Sequence, residues 1–427
     1  MASPHLRRQS PVIDRGRSTR RRPTAGGRRP SGQSTRIDVC LLVVPLGFAI
    51  VNPGTGILSG HYASIAVTIF ILLRYGAAHR FFLVDLVAFC AGGFVLLSPL
   101  WAFDWDASAS PSRGAAAVLF YFVTVRIVVS DARRFAWLVR SIVVVCAIYA
   151  AYFAVTARAL DSMTSRVSVE FANANYSGVI LAFGAVASLW VALHDAPIPP
   201  KLRGLSAIAG VLQSWAVLLT GSRASFAGLL AGLAVIGLCH RPWRAVRIAT
   251  LVLVVVGFVI GFAPSSASIF LAVSQSVTPF STFQRGAQTL GDLSGREEIW
   301  ASTRTIASEN WLLGAGPEGY RLLGGSQILA HAWGLDYVAS VGLLGASLLA
   351  SVVLMSFLCK GVGATGAISR PAVLWTCGTA LVLLPSLVLA SIQWTLWAWV
   401  GFALWSKAHL LDGGAGEKEI DAKLIHA

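Results

Sequence analysis

The sequence predicts an all-α integral membrane protein with about twelve transmembrane helices and one large extracytoplasmic loop that carries short helices. Three observations predict it. First, 56% of the 427 residues are hydrophobic and only 12% are charged, with a mean hydropathy of +0.70. Soluble domains carry about 25% charged residues, so this chain lacks the polar surface to coat a soluble globule. Second, apolar segments long enough to cross ~30 Å of hydrocarbon as helix recur from Ile37 to Leu410. Third, those segments are apolar on every side, whereas barrel strands alternate apolar and polar over about 10 residues.

The expected spans are 37–55, 61–75, 81–101, 114–131, 135–157, 176–194, 202–221, 225–240, 245–263, 334–359, 372–390 and 394–410. Residues 1–36 precede them. This segment holds ten arginines (7, 8, 15, 17, 20, 21, 22, 28, 29 and 36) among Pro, Gly and Ser, a composition expected to be disordered. The formal net charge of +15 raises the question of nucleic acid. The clustering of arginine beside a first span instead suits anionic membrane lipids, at about 1 kcal/mol per basic residue near the surface. A nucleic-acid partner is therefore not expected. A secretory signal is not expected either, because the first apolar segment begins late and has no small-residue cleavage site. Residues 37–410 form the membrane domain, with an outer loop at 264–333, and 411–427 form a C-terminal tail.

Charge placement orients the spans. Connections expected inside contain Arg74 and Arg80; Arg133 and Arg134; Lys201 and Arg203; Arg241, Arg244 and Arg247; Lys360 and Arg370; and Lys407. The short connections at 52–60 and 391–393 contain no Lys or Arg, and Arg113 is the exception to the pattern. An excess of Lys and Arg marks the cytoplasmic side. Both termini are thus expected in the cytoplasm, and 158–175, Gly221–Ala224 and 264–333 outside. Asp85, Arg126 and Arg140 fall within spans, toward their cytoplasmic ends, where snorkelling or mutual pairing is open to them. Cys40, Cys90, Cys146, Cys239, Cys359 and Cys377 lie in or beside apolar segments without metal-ligand spacing. They read as small buried residues, and neither a disulfide framework nor a metal site is expected. Many of the fourteen tryptophans fall near span boundaries, where interfacial anchoring accounts for them.

The 264–333 loop is the long polar interruption. Ser294 and Glu297 have capping-box spacing. Ile299, Trp300, Thr303, Ile306 and Ala307 then recur at helical spacing, which predicts a short amphipathic helix on the outer leaflet or over a cavity. Arg296 falls in its first turn, where a guanidinium joins the free amides of a helix start and suits a phosphate. The alternative is a solvated arginine paired with Glu297 or Glu298. Gly314, Gly316 and Gly319 flank Pro317 and Glu318 in a turn that could bring amides to an anion, or be a turn and nothing more. His331 precedes a span and could exchange a proton with a sugar hydroxyl, or hold a backbone partner at the interface. Arg223 sits in a short turn expected outside, against the charge rule, which suits either a lipid headgroup or a bound pyrophosphate. Asn173 and Asn175 could hydrogen-bond a sugar or cap the sixth span.

Taken in order, these pieces resemble the O-antigen ligase and polymerase family of membrane glycosyltransferases, over roughly residues 170–350. Phe171-x-Asn173-x-Asn175 resembles the family's Phe-x-Asn-Pro-Asn, with Ala174 in the proline place. Leu219-Thr-Gly-Ser-Arg223-Ala resembles its Ser-Arg turn. Gly295-Arg296 with Trp300, then Gly314-x-Gly316-x-x-Gly319-Tyr320, resembles its Gly-Arg…Trp…Gly-x-Gly loop. Ala330-His331, with Leu335 and Gly342-Leu-Leu-Gly345, resembles its His-Asn-x-x-Leu…Gly-Leu-x-Gly ending. Ala332 replaces the usual asparagine, and Ser340 stands at a usually acidic position.

The resemblance implies glycan transfer or polymerisation from a polyprenyl diphosphate-linked donor to an acceptor glycan or lipid, at the outer face of the cytoplasmic (inner) membrane, without metal or other cofactor. It implies that Arg223 and Arg296 hold the diphosphate and that His331 is at the reacting centre, with Glu297 or Glu298 as the other candidate base. Asn173, Asn175, Glu297, Gly314, Gly316 and Gly319 are the substrate-binding candidates. A transporter or flippase of lipid-linked sugars is the alternative function, though such proteins gather polar groups at mid-membrane. A third option is an accessory protein that binds lipid-linked sugars without turning them over.

Overall fold

A computed structural model describes residues 32–51, 56–77, 79–157, 174–194, 199–220, 225–226, 228–233, 296–323, 333–358 and 396–407. The helices are α1 (Gly32–Val51), α2 (Gly56–Tyr75), α3 (Leu83–Leu97), α4 (Trp105–Val128), α5 (Ala132–Ala157), α6 (Ala174–His194), α7 (Pro200–Leu219), α8 (Arg296–Glu309), α9 (Gly319–Leu323), α10 (Trp333–Leu358) and α11 (Leu396–Ser406). A 3₁₀ turn, Ser98–Trp101, follows α3. Every regular element among the described residues is helical. Among the described residues five helices are long and apolar enough to cross a membrane: Leu83–Trp101, Trp105–Val128, Ala132–Val155, Tyr176–Leu193 and Gly334–Ser356. The expected spans 245–263 and 372–390 lie outside the described residues, as do the connection 158–173 and residues 221–224.

Boundaries differ from expectation where polar residues continue a helix. α1 starts at Gly32 and includes Arg36. α4 starts at Trp105 rather than 114. Asp104 caps it, accepting a hydrogen bond from Ala107 N at 2.9 Å, which satisfies one of the amides that every helix start leaves open. The Ser-rich first turns that follow look polar in sequence, yet Ser108 and Ser112 are buried, and Ser112 Oγ lies 3.1 Å from Ser98 Oγ.

α4 is the central helix. It packs against α2, α3 and α11, and from Gly114 to Val128 all its residues but Phe120 are buried. The other contacts pair α1 with α2 and α5, α5 with α6 and α7, α6 with α7, and α10 with α3 and α11. Large side chains fill the centre: Phe122 lies edge-on to Trp399 and Phe183 edge-on to Trp397. Leu73, Leu83, Ile148, Val155 and Val211 point outward and exposed, the inverse of a soluble surface and suited to lipid. Cys146 is buried as expected, whereas Cys40 and Cys90 lie on the outer faces of their helices, and all three are free.

Antiparallel connectivity gives the bundle two distinct ends. At one, the start of α3 meets the ends of α4 and α11: Arg126 Nε is 2.5 Å from Asp85 Oδ1, and Arg126 Nη1 donates to Ser406 Oγ. Two of the three charges expected inside spans thus neutralise one another. Arg134 and Asp131 form an ion pair at 3.3 Å at this same basic end. Arg140 is half-buried on α5. The other end holds the end of α3, the start of α4 and the segment 296–323.

Candidate functional site

The segment Asn310–Gly319 is built into the membrane domain through a break in α10. The predicted span at 334–359 forms, but it is interrupted at Gly342 (φ 66°, ψ −176°). In an unbroken helix the amides of Leu343 and Leu344 would reach the carbonyls of Ala339 and Ser340. Here all four groups turn to the loop. Leu343 N donates to Trp311 O at 2.7 Å and Leu344 N to Leu312 O at 3.3 Å. Ala339 O accepts from Ala315 N at 2.8 Å and Ser340 O from Gly316 N at 2.9 Å. Another tie runs to the α3–α4 corner, where Phe103 N donates to Ala315 O at 3.0 Å and Trp101 Nε1 to Leu313 O at 3.0 Å. Backbone groups near lipid must be paired, and the loop supplies the pairs that the break removes.

Glycine is required at these approaches. A Cβ on Gly342 would lie 2.2 Å from Leu312 O, and one on Gly316 would lie 2.3 Å from Ala102 Cβ. Gly314 and Gly316 also hold φ values of +78° and +91°, left-handed backbone that costs other residues about 1–2 kcal/mol. Glu318 adopts φ 65° without being glycine.

The amphipathic helix expected after Ser294 is α8. Thr303, Ile306 and Ala307 are its buried stripe, while Ile299 and Trp300 are half-buried. Ile306 and Ala307 pack with Ala315 and Ala339, flanked by Leu335 and Val338. The helix therefore docks on α10.

The structure places the sequence-derived candidates as follows. Arg296 and Glu297 are the first two residues of α8, and Glu298 is exposed; the side chains of Arg296 and Glu297 lie outside the described residues. Gly314, Gly316 and Gly319 lie in the loop, and their amides donate to the carbonyls of Asn310, Ser340 and Gly316. Those amides hold the loop in place. Asn175 is in the first turn of α6, with its side chain undescribed. Asn173, Arg223 and His331 lie outside the described residues, but their flanks are placed. Thr220 and Ser225 flank Arg223 in sequence, and a Cβ on Gly178 would lie 2.6 Å from Ser225 Oγ and 3.0 Å from Thr220 Oγ1. The start of α6 therefore lies beside Thr220 and Ser225, the described residues that flank 221–224. His331 is two residues ahead of α10. Strict alternation from α4 through α7 puts the α6 start and the α7 end at the same end of the bundle as the α4 start, where α8 and its loop dock.

Sequence reasoning did not single out Ser108 or Asp336. Ser108 Oγ is buried without a hydrogen-bond partner among the described residues and faces Gly316 and Gly319. Asp336 is 1% exposed in the first turn of α10. Ser108 hides in a serine-rich stretch, and Asp336 has the sequence signature of any polar helix start. Among the described residues no three His, Cys, Asp or Glu side chains gather as a metal site would require.

A family model described as O-antigen ligase matches residues 208–350. Over these residues the chain is similar to the O-antigen ligase family. The matched ligase segment runs from α7 through α8 and the latched loop to the α10 break. It includes Arg223, Arg296, Glu297, the three loop glycines and His331, and leaves Asn173 and Asn175 outside. No curated protein matches the chain. That similarity supports a role in surface polysaccharide biosynthesis.

Proposed function

We propose that the protein transfers or polymerises glycans from a polyprenyl diphosphate-linked donor, at the outer face of the cytoplasmic membrane, within a twelve-span topology that leaves both termini inside. The observation that carries this reading is the coincidence of the ligase-family segment with the latched loop, at the bundle end opposite the Arg126, Arg134 and Lys407 cluster. An excess of cations marks the cytoplasmic side, so the latched end is external.

In the proposed reaction an acceptor hydroxyl oxygen bonds to the anomeric carbon while the bond from that carbon to the diphosphate oxygen breaks. The electron pair leaves with the diphosphate, and the hydroxyl proton passes to a base. Arg223 and Arg296 neutralise the growing charge on the leaving group. Their fixed guanidinium forks do the work a divalent ion does elsewhere. His331 aligns the acceptor and takes its proton, with Glu297 or Glu298 as the other candidate. Asn173 and Asn175 contact the sugar. The donor enters laterally between helices, its diphosphate beneath α8. Gly314, Gly316 and Gly319 serve this site by fixing where α8 stands.

The test is turnover of a polyprenyl diphosphate oligosaccharide by the purified protein in liposomes. Arg296→Ala should lower the rate about 10²–10³-fold, the usual effect of removing one group that stabilises developing charge. Its melting temperature should not move, because the residue opens a surface helix. EDTA should have no effect. Movement of the lipid between leaflets without a new glycosidic bond would overturn the proposal in favour of a flippase.

A further inference from the structure

The basic end of the bundle, opposite the latched loop, carries another cluster. The connection from α2 to α3 meets the residue that follows α11. Three charged groups are enclosed there: Asp85 is 0%, Arg126 3% and Lys407 8% exposed. The Asp85 carboxylate is already used. It accepts from Arg126 Nε at 2.5 Å and from Phe82 N at 2.9 Å, and His79 Nε2 stands 3.9 Å away. Arg126 donates a further N–H to Ser406 Oγ.

Lys407 is left over. Its Nζ sits 5.7 Å from the centre of the Phe82 ring, but a ring face takes none of the three ammonium protons as a full hydrogen bond. No carboxylate or carbonyl among the described residues accepts from it. Burial, with Arg126 beside it, pushes the ammonium down to about 8 against the pull of Asp85. His79 Nε2 is also buried without a hydrogen-bond partner among the described residues, and burial lowers its pKa. Among the described residues the cluster thus sets two cations, Arg126 and Lys407, against one carboxylate, Asp85. An enclosed charge without a counter-charge is costly, and an anion from outside would complete it.

The surroundings select the anion. Phe81, Phe82, Leu83 and Leu86 are exposed apolar side chains beside the cluster, and Arg80 is exposed on the same connection. A free inorganic ion gains nothing from that apolar border, whereas a lipid would lay an acyl chain along it.

We propose that the cleft between residues 79–83 and Lys407 binds the phosphate of an anionic phospholipid, with Lys407 as its principal ligand and the lipid chain lying against Phe82, Leu83 and Leu86. The site is separate from the Arg-rich segment 1–36, and it stands whether or not the glycosyltransfer mechanism does.

Native mass spectrometry of the full-length protein, titrated with phosphatidylglycerol and with phosphatidylcholine, tests it. The wild type should retain phosphatidylglycerol preferentially. Lys407→Met should weaken that retention roughly tenfold or more, the size of one hydrogen bond to a charged group, and Lys407→Arg should restore it. Equal retention of the two lipids, or undiminished phosphatidylglycerol binding by Lys407→Met, would overturn the proposal. Displacement of the lipid by millimolar inorganic phosphate would overturn the lipid assignment. A measurement free of any variant uses the melting temperature of the wild type in detergent. It should rise with added phosphatidylglycerol and not with phosphatidylcholine, as expected for a ligand of the folded state; no difference between them counts against the site.

Discussion

Asp85 and Arg126 show how a charge survives in an apolar bundle. Each sits on a helix that reads as a span, forty-one positions apart in sequence, and each would be costly alone. Removing one partner of such a pair strands the other, which typically costs about 3–5 kcal/mol. Asp85→Asn should therefore lower the melting temperature markedly. The double change Asp85→Leu with Arg126→Met should recover most of the loss, because apolar replacement of a whole buried pair is often neutral. A double variant as unstable as Asp85→Asn would show that the pair has a role beyond mutual neutralisation. The sequence reveals that these residues have an unusual position; it does not reveal the partnership. Arg140 has the same sequence signature and no part in the pair.

α10 is the element whose form the sequence hid most. Its residues are apolar throughout and read as one span, and Gly342 looks like any other small residue. The break becomes intelligible only with the loop in place, because the carbonyls of Trp311 and Leu312 replace those of Ala339 and Ser340. The Gly-x-Gly pattern, legible as a tight turn, proves to be a contact requirement set by Ala102 and the α10 backbone. Gly316→Ala and Gly342→Ala should each detach the loop while leaving α3–α7 intact. Hydrogen exchange would show this as faster exchange confined to 306–323 and 339–344. Uniformly faster exchange through the bundle would show that the latch supports the whole fold instead. Turnover should fall in both variants, since α8 would no longer stand in one place over the domain.

At the scale of the molecule the two ends have different jobs. One gathers Arg126, Arg134 and Lys407 and, in the proposed orientation, meets the anionic leaflet. The other gathers α8, the latched loop and the start of α6. Single cysteines at Trp311 and Arg133, in a background without the native cysteines, test the orientation. Trp311→Cys should react with an impermeant maleimide applied to intact cells, and Arg133→Cys only after permeabilisation. Labelling of both from the same side would remove the external site.

Composition alone determined that this chain is a helical membrane protein, because too few polar residues exist to cover a soluble surface. Hydropathy gave approximate span limits, and helical spacing gave α8 with its buried stripe. Residue order carried the resemblance to the O-antigen ligase family, since Arg223, Arg296 and His331 lie in motifs legible as strings. Tertiary structure decided what strings do not encode: the pairing of Asp85 with Arg126, the surplus at Lys407 and the seating of a polar loop in a broken helix. Each of these depends on groups far apart in the chain meeting across a packed interior, and the free energy of such a meeting belongs to neither residue until both are placed.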